Sequence, residues 1–264
     1  MILVIKHRRL CFVILKYKNI HMKTLQKHTI GEYVAQDFRT ATLFSKYKID
    51  FCCKGNKTLE EVCQAKGLDT TQIENEINSV LNSGSSTEMD FKTFSPNLLI
   101  DYILETHHQY IQEKTPVLLM YLDKLCKVHG ERHPELFEIN NLFQISANEL
   151  LNHLQKEEIV LFPFIKTMTN AIKNNETIQQ PGFGTVENPI AMLKHDHETE
   201  GDLFAKISEL TNEYNPPSDA CQTYKVTFAM LKEYEQDLHK HIHLENNILF
   251  KKAIELEEKF NILG

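Results

Sequence analysis

Two segments of this sequence repeat one arrangement of histidine and glutamate. They are His153-LQK-Glu157-EIV-Leu161-Phe162 and His241-IHL-Glu245-NNI-Leu249-Phe250, both of the form HxxxExxxLF. In a helix, residues four apart stack on one face, so each copy presents an imidazole and a carboxylate side by side. Both pairs interrupt an apolar stripe. One stripe runs Phe143, Leu150, His153, Glu157, Val160, Phe164, and the other runs Leu231, Tyr234, Leu238, His241, Glu245, Ile248. A carboxylate on such a stripe costs several kcal/mol unless a cation compensates it. The chemistry these residues suit is metal binding.

The same reasoning selects two further ligands. The stripe Leu104, His108, Ile111, Leu118, Leu122, Leu125 takes His108 and leaves His107 off the seam, and Ile190, Leu193, His197, Phe204, Ile207 takes His197 and leaves His195 facing solvent. His239 and His243 stack on one another, rotated away from His241 and Glu245. Imidazole and carboxylate donors suit iron, manganese or zinc. Four histidines with two carboxylates able to bridge favour two iron ions, with zinc or manganese as the alternatives.

Such a site requires four facing helices, and the chain supplies them at about 97–127, 137–173, 188–213 and 218–260. Asn188-Pro189 offers a cap and an N1 proline to the third helix, and Pro216-Pro217-Ser218 prepares the fourth. Pro116 and Pro163 fall inside helical patterns, where each removes a backbone hydrogen bond and should kink its helix. Upstream, residues 24–82 read as a small domain of short helices. Thr58 and Glu61 form a capping box, Gly67 is a stop, and Asp69 or Thr70 is a cap. Residues 83–96 are polar and aperiodic, hence a linker, and 97–264 form the bundle. Residues 1–23 are an extension. Met22 opens a conventional-looking segment, and the natural start is expected there.

The bulk properties agree with an all-α protein: only 9 glycines and no tryptophan occur among 264 residues. A formal charge of -7 leaves no basic face to displace counterions from a phosphate backbone, so no nucleic acid partner is expected. The longest apolar run near the start, Leu10–Leu15, is too short to span a membrane and is followed by Lys16 and Lys18. Six cysteines without dense spacing fit a reducing cytoplasm.

Several further marks, KYKIDFCCKGNKTLEEVC, the KEE and LFP around Glu157, HETEG and HIHLENNILF, together with the HxxxE pairs, make the chain from about Leu25 onward resemble the RIC family (repair of iron centres) of the ScdA/YtfE type. The resemblance implies a hemerythrin-like antiparallel four-helix bundle preceded by a small helical domain. It matches His108, His153, Glu157, His197, His241 and Glu245 to the family's iron ligands. It also matches Cys52 and Cys53 to a double cysteine with a redox or transfer role, and points to His129 as a further nitrogen near the site. On spacing alone the two cysteines make a poor chelate, because neighbouring side chains diverge. With the resemblance they are expected to present an exposed thiolate, favoured by Lys54.

The function so implied is repair of iron-sulfur clusters damaged by nitrosative or oxidative stress, by iron donation, with damaged iron-sulfur proteins as partners and a homodimer as an allowed assembly. Two alternatives stand beside it: an enzyme reducing nitric oxide or processing peroxide, and a hemerythrin-like sensor of oxygen or nitric oxide. His197 has Leu193 and Gly201 four residues either side, so the third helix lacks the second imidazole of oxygen-carrying hemerythrins and leaves a metal position open.

Overall fold

A computed structural model describes residues 28–83 and 89–263, so the extension 1–23 and part of the expected linker lie outside the described residues. The chain divides into two compact units, Met1–Asp90 and Phe91–Gly264.

Among its described residues the first unit holds four short helices, α1 (Ile30–Gln36), α2 (Arg39–Lys46), α3 (Leu59–Lys66) and α4 (Thr70–Asn82). Their ends are set by local chemistry. Thr29 and Thr58 each accept a hydrogen bond from the backbone N–H three residues on, while Glu32 and Glu61 reach back to the cap backbone. Gly67, at φ 65°, closes α3 in the left-handed region, and the Asp69 side chain caps α4. These helices are too short to persist alone. Tyr33, Phe44, Ile73 and Ile77, all buried, hold them together. Arg39 adds a tie by bonding both Asp37 and the Val80 carbonyl.

The second unit begins with a 3-10 turn, Phe91–Thr93, inside the segment read as linker. Four rods follow. The first comprises α5 (Pro96–Ile103), a π-turn (Leu104–His108) and α6 (Gln109–His129). The second comprises α7 (Glu135–Lys156), a π-turn (Glu157–Leu161) and α8 (Phe162–Asn174). The third is α9 (Glu187–Leu210), and the fourth is α10 (Gln222–Leu244), a π-turn (Glu245–Leu249) and α11 (Phe250–Leu263). Contacts close a ring in which α6 packs on α7, α7 on α9, α9 on α10 and α10 on α6. Sequential neighbours joined by short connections make this an antiparallel bundle. The third and fourth helices start elsewhere than their prolines suggest. Thr185 and Val186 precede α9, and Cys221 is the N-cap of α10. Among the described residues no helix is long and apolar enough to cross a membrane.

The π-turns alter the seams. In each, the closing N–H bonds a carbonyl five residues back: Gln109 to Leu104, Phe162 to Glu157 and Phe250 to Glu245. The wider turn inserts one residue into the helical period. Hence Leu161 and Ile165 are buried where Val160 and Phe164 were expected, and Val160 is 43% exposed. Pro163 falls just after its π-turn, where the ladder is already interrupted.

One tight contact joins the first unit. Gly31 donates to the Gly55 carbonyl at 2.7 Å. A Cβ at Gly55 would lie 2.3 Å from the Phe51 oxygen and 3.1 Å from the Gly31 Cα, against backbone that cannot rotate aside. Gly55→Ala is therefore expected to destabilise the first unit by about 1–3 kcal/mol. Denaturant unfolding of the variant checks this, and an unchanged midpoint would contradict the packing described.

Candidate metal centre

The three π-turns coincide with candidate ligands: His108 ends one, and Glu157 and Glu245 each begin another. Together with α7, α9 and α10 they bring His108, His153, Glu157, His197, His241 and Glu245 into one buried cluster. The donor atoms form two overlapping sets, His108, Glu157, His241, Glu245 and His153, Glu157, His197, Glu245, each with its atoms within 4.8 Å of one another. Both glutamates belong to both sets and are 0% exposed.

The Nε2 atoms point inward. His108 Nε2 lies 3.4 Å from Glu157 and 3.8 Å from Glu245, and His153 Nε2 lies 3.4 Å from Glu157. His197 and His241 approach Glu245 at 3.2 and 2.8 Å. Three of the four outward Nδ1 atoms are oriented by acceptors, His108 by Glu158 at 2.8 Å, His153 by Asp196 at 3.3 Å and His197 by Asn246 at 3.0 Å, while His241 Nδ1 is buried without one. Such partners fix the tautomer that leaves Nε2 free for a metal.

The HxxxExxxLF repeat now has a physical reading, because the two copies make corresponding contacts. The residue after each glutamate, Glu158 or Asn246, orients a histidine on a different helix. The phenylalanine closing each copy also stacks on that histidine. Phe162 packs on His108 at 5.7 Å between centroids, and Phe250 packs on His197 at 6.0 Å. A phenylalanine ring thus covers each of these two histidines.

These residues fit a pair of metal ions. Both Glu157 oxygens and Glu245 Oε2 are buried without a hydrogen-bond partner. The Nε2 atoms of His153 and His197 face each other at 3.0 Å, which requires a proton or a cation between them. Without a metal the cluster compensates itself with protons. Burial opposes charge on His108 and His153, but Glu157, Glu245 and Asp196 overcome it and lift both to about 10. Burial and mutual repulsion would raise the two glutamates, yet the surrounding histidines hold both below the usual carboxylate range. His241, wholly buried and near His108, is driven the other way. The donor set is thus poised to exchange protons for metal.

His107, His243 and His129 depart from their expected places, whereas His195 does not. His107 is buried, bonds Asp237 at 2.9 Å and stacks on His241 at 5.6 Å. The π-turn lets it and His108 both face inward. His243 is also buried, and desolvation, with Lys251, Lys92 and Lys240 nearby, pushes it down to about 3. His195 is exposed. His129 does not join the cluster. It lies at the far end of α6, with Nε2 3.2 Å from the Cys221 sulfur, because 21 helical residues carry it away from His108.

Sequence reasoning missed Glu200, which is 2% exposed and receives a 2.6 Å hydrogen bond from the Ser146 hydroxyl. Burial pushes it up to about 7 against the pull of that bond. A glutamate on the buried face of α9, three residues after His197, is the signal that could have found it. It lines a cleft of about 310 Å³ together with His153, Asp196 and Glu149.

In the first unit, Asp50 Oδ1 accepts from the backbone N–H of Cys52 and of Cys53, and the two sulfurs lie 3.6 Å apart. The expected exposed thiolate is not found at Cys52. It is buried, and Cys53, burial and Asp50 hold its thiol well above the ordinary range. Cys53 is half-buried.

Comparison with known proteins agrees with this geometry. Residues 26–81 match the ScdA_N model, described as a domain of unknown function (DUF542), and residues 99–253 match the hemerythrin HHE cation binding domain. The iron-sulfur cluster repair protein ScdA of Staphylococcus haemolyticus is 32% identical over 84% of this chain and 96% of its own length. The iron-sulfur cluster repair proteins YtfE of an Enterobacter species and of Escherichia coli O81 are 32% and 31% identical, each over 85% of this chain and 96% of the relative. With a hemerythrin HHE domain over most of its length and relatives that align nearly end to end, this chain belongs to the ScdA/YtfE family of iron-sulfur cluster repair proteins.

Proposed function

We propose that this protein repairs iron-sulfur clusters damaged by nitrosative or oxidative stress in the cytoplasm, holding two iron ions of which one is delivered to the damaged cluster. The observation that carries this reading is the pair of fully buried carboxylates, each shared between two sets of imidazoles. The relatives' names supply the repair reaction, and the free cysteines among the described residues suit a reducing compartment.

His108 and His241 would hold one metal and His153 and His197 the other, with Glu157 and Glu245 common to both sets. When bound, the irons supply a redox-active and exchangeable metal pair. The chain's own residues set its terms. Glu158, Asp196 and Asn246 aim three of the four imidazoles, Phe162 and Phe250 cover two of them, and a cleft lined by His153 and Glu200 approaches from one side. Cys53, the more accessible thiol of the pair, is the residue that meets iron or nitric oxide. The same cleft favours a second reading, binding and reduction of nitric oxide, because of the six candidate ligands it is lined by His153 alone.

Iron-loaded protein is expected to reactivate a nitric oxide-damaged [4Fe–4S] enzyme with stoichiometric loss of its own iron. Reactivation that consumes nitric oxide while the iron is retained would favour the second reading. Cys53→Ser should keep its iron and reactivate poorly, and full reactivation would remove Cys53 from the pathway. Glu157→Ala and Glu245→Ala should each lose both irons, since each removes a ligand common to both positions. Retention of the pair in either variant would show that these glutamates do not bridge.

Proton linkage gives an independent check. At neutral pH, below their raised pKa of about 10, His108 and His153 carry protons that metal must displace, whereas both glutamates are already ionised. Metal binding should therefore release protons, and affinity should rise as pH increases from neutral toward about 10. Calorimetry in buffers of different ionisation enthalpy measures the release, and a buffer-independent heat would contradict it.

A further inference from the structure

The correspondence of contacts between the two HxxxExxxLF copies also shows where the two halves of the site differ. It relates His197 to His108 and therefore Glu200 to Ile111, each three residues on. Ile111 is 1% exposed and apolar, whereas Glu200 is 2% exposed and a carboxylate. Ser146, seven residues before His153, likewise corresponds to Tyr234, seven before His241. Tyr234 shares its hydroxyl with Thr115 at 2.9 Å, while Ser146 donates to Glu200 Oε2. One half of the centre has thus acquired a buried acid that the other lacks.

That acid is incompletely satisfied. Glu200 Oε1 is buried with no hydrogen-bond partner, although a carboxylate at such depth ordinarily has both oxygens engaged. The side chain lines the cleft that reaches His153, and the i,i+3 spacing on α9 places its Cβ about 5–6 Å from that of His197. Its oxygens lie outside the sets of donors within 4.8 Å of one another, so a rotation away from Ser146 is needed to bring it to a metal.

We propose that Glu200 is a two-position carboxylate serving only the metal between His153 and His197: parked on Ser146 in one position, and turned onto that metal as a terminal ligand in the other. The inference rests on the two-iron reading above. It makes the two irons unequal. Each set offers two imidazoles and two shared carboxylates, so a third carboxylate on one side adds a negative charge and a donor there alone. The iron beside the cleft is then the one whose retention is governed by a side chain that can let go.

The experiment compares unsubstituted protein, Glu200→Gln and Ser146→Ala after loading with ⁵⁷Fe, using Mössbauer spectra and the rate of transfer of ferrous iron to a chelator. Thermal melts confirm folding. Glu200→Gln is expected to alter one of two quadrupole doublets and to speed release of one iron by about 10-fold or more, the scale of effect seen when a group supporting a metal site is removed. Ser146→Ala frees the carboxylate for the metal and should slow release of that same iron. Spectra and rates equal to those of unsubstituted protein in both variants would overturn the proposal, as would equal loss of both irons in Glu200→Gln, which would assign Glu200 a role in the fold. Unsubstituted protein that holds no iron pair would instead overturn the two-iron reading, before either variant is compared.

Discussion

Two carboxylates with no solvent access lie at the centre of the larger unit, and the rest of it is arranged around their charge. Glu157 and Glu245 would each cost several kcal/mol if left unpaired. Four imidazoles from four helices surround them, and three buried carboxylate oxygens still lack a hydrogen-bond partner. An apolar core of the same size would be simpler to stabilise. A cluster of this composition makes sense as a place where protons on His108 and His153 give way to metal. The closed ring of helices and the stacked phenylalanines serve that exchange by fixing where the nitrogens point.

The HxxxExxxLF repeat makes much of this legible in the order of residues alone. It brings out two histidine–glutamate pairs of the buried cluster, and the apolar stripes add His108 and His197, because a polar residue on a buried seam needs a partner. A uniform period of 3.6 residues per turn hides the rest. Each π-turn adds a residue at a member of the buried cluster, so the seam beyond Glu157 passes through Leu161 and Ile165, and His107 turns inward beside His108. Glu200 is hidden for a different reason. Its neighbours Glu198 and Asp202 make the helix look acidic on all sides, and only packing separates the buried carboxylate from the solvated ones.

The first unit shows the limits of reading chemistry from residue type. Thr58, Glu61, Gly67 and Asp69 place their helix ends from sequence because capping is local. The state of the cysteines depends on burial and on Asp50, which gathers the backbone of the turn around its own oxygen. Cys52 is consequently a buried neutral thiol, and any exchange with solvent begins at Cys53. His129, too, has the right residue type at the wrong distance, since a straight helix separates it from His108.

The central claim is that two metals share two carboxylates. Anomalous diffraction at the iron absorption edge, from crystals of the iron-loaded protein, tests this most directly. Two peaks are predicted, one flanked by His108 and His241 and the other by His153 and His197, with Glu157 and Glu245 spanning both. A single peak, or two peaks that do not share these glutamates, would contradict it.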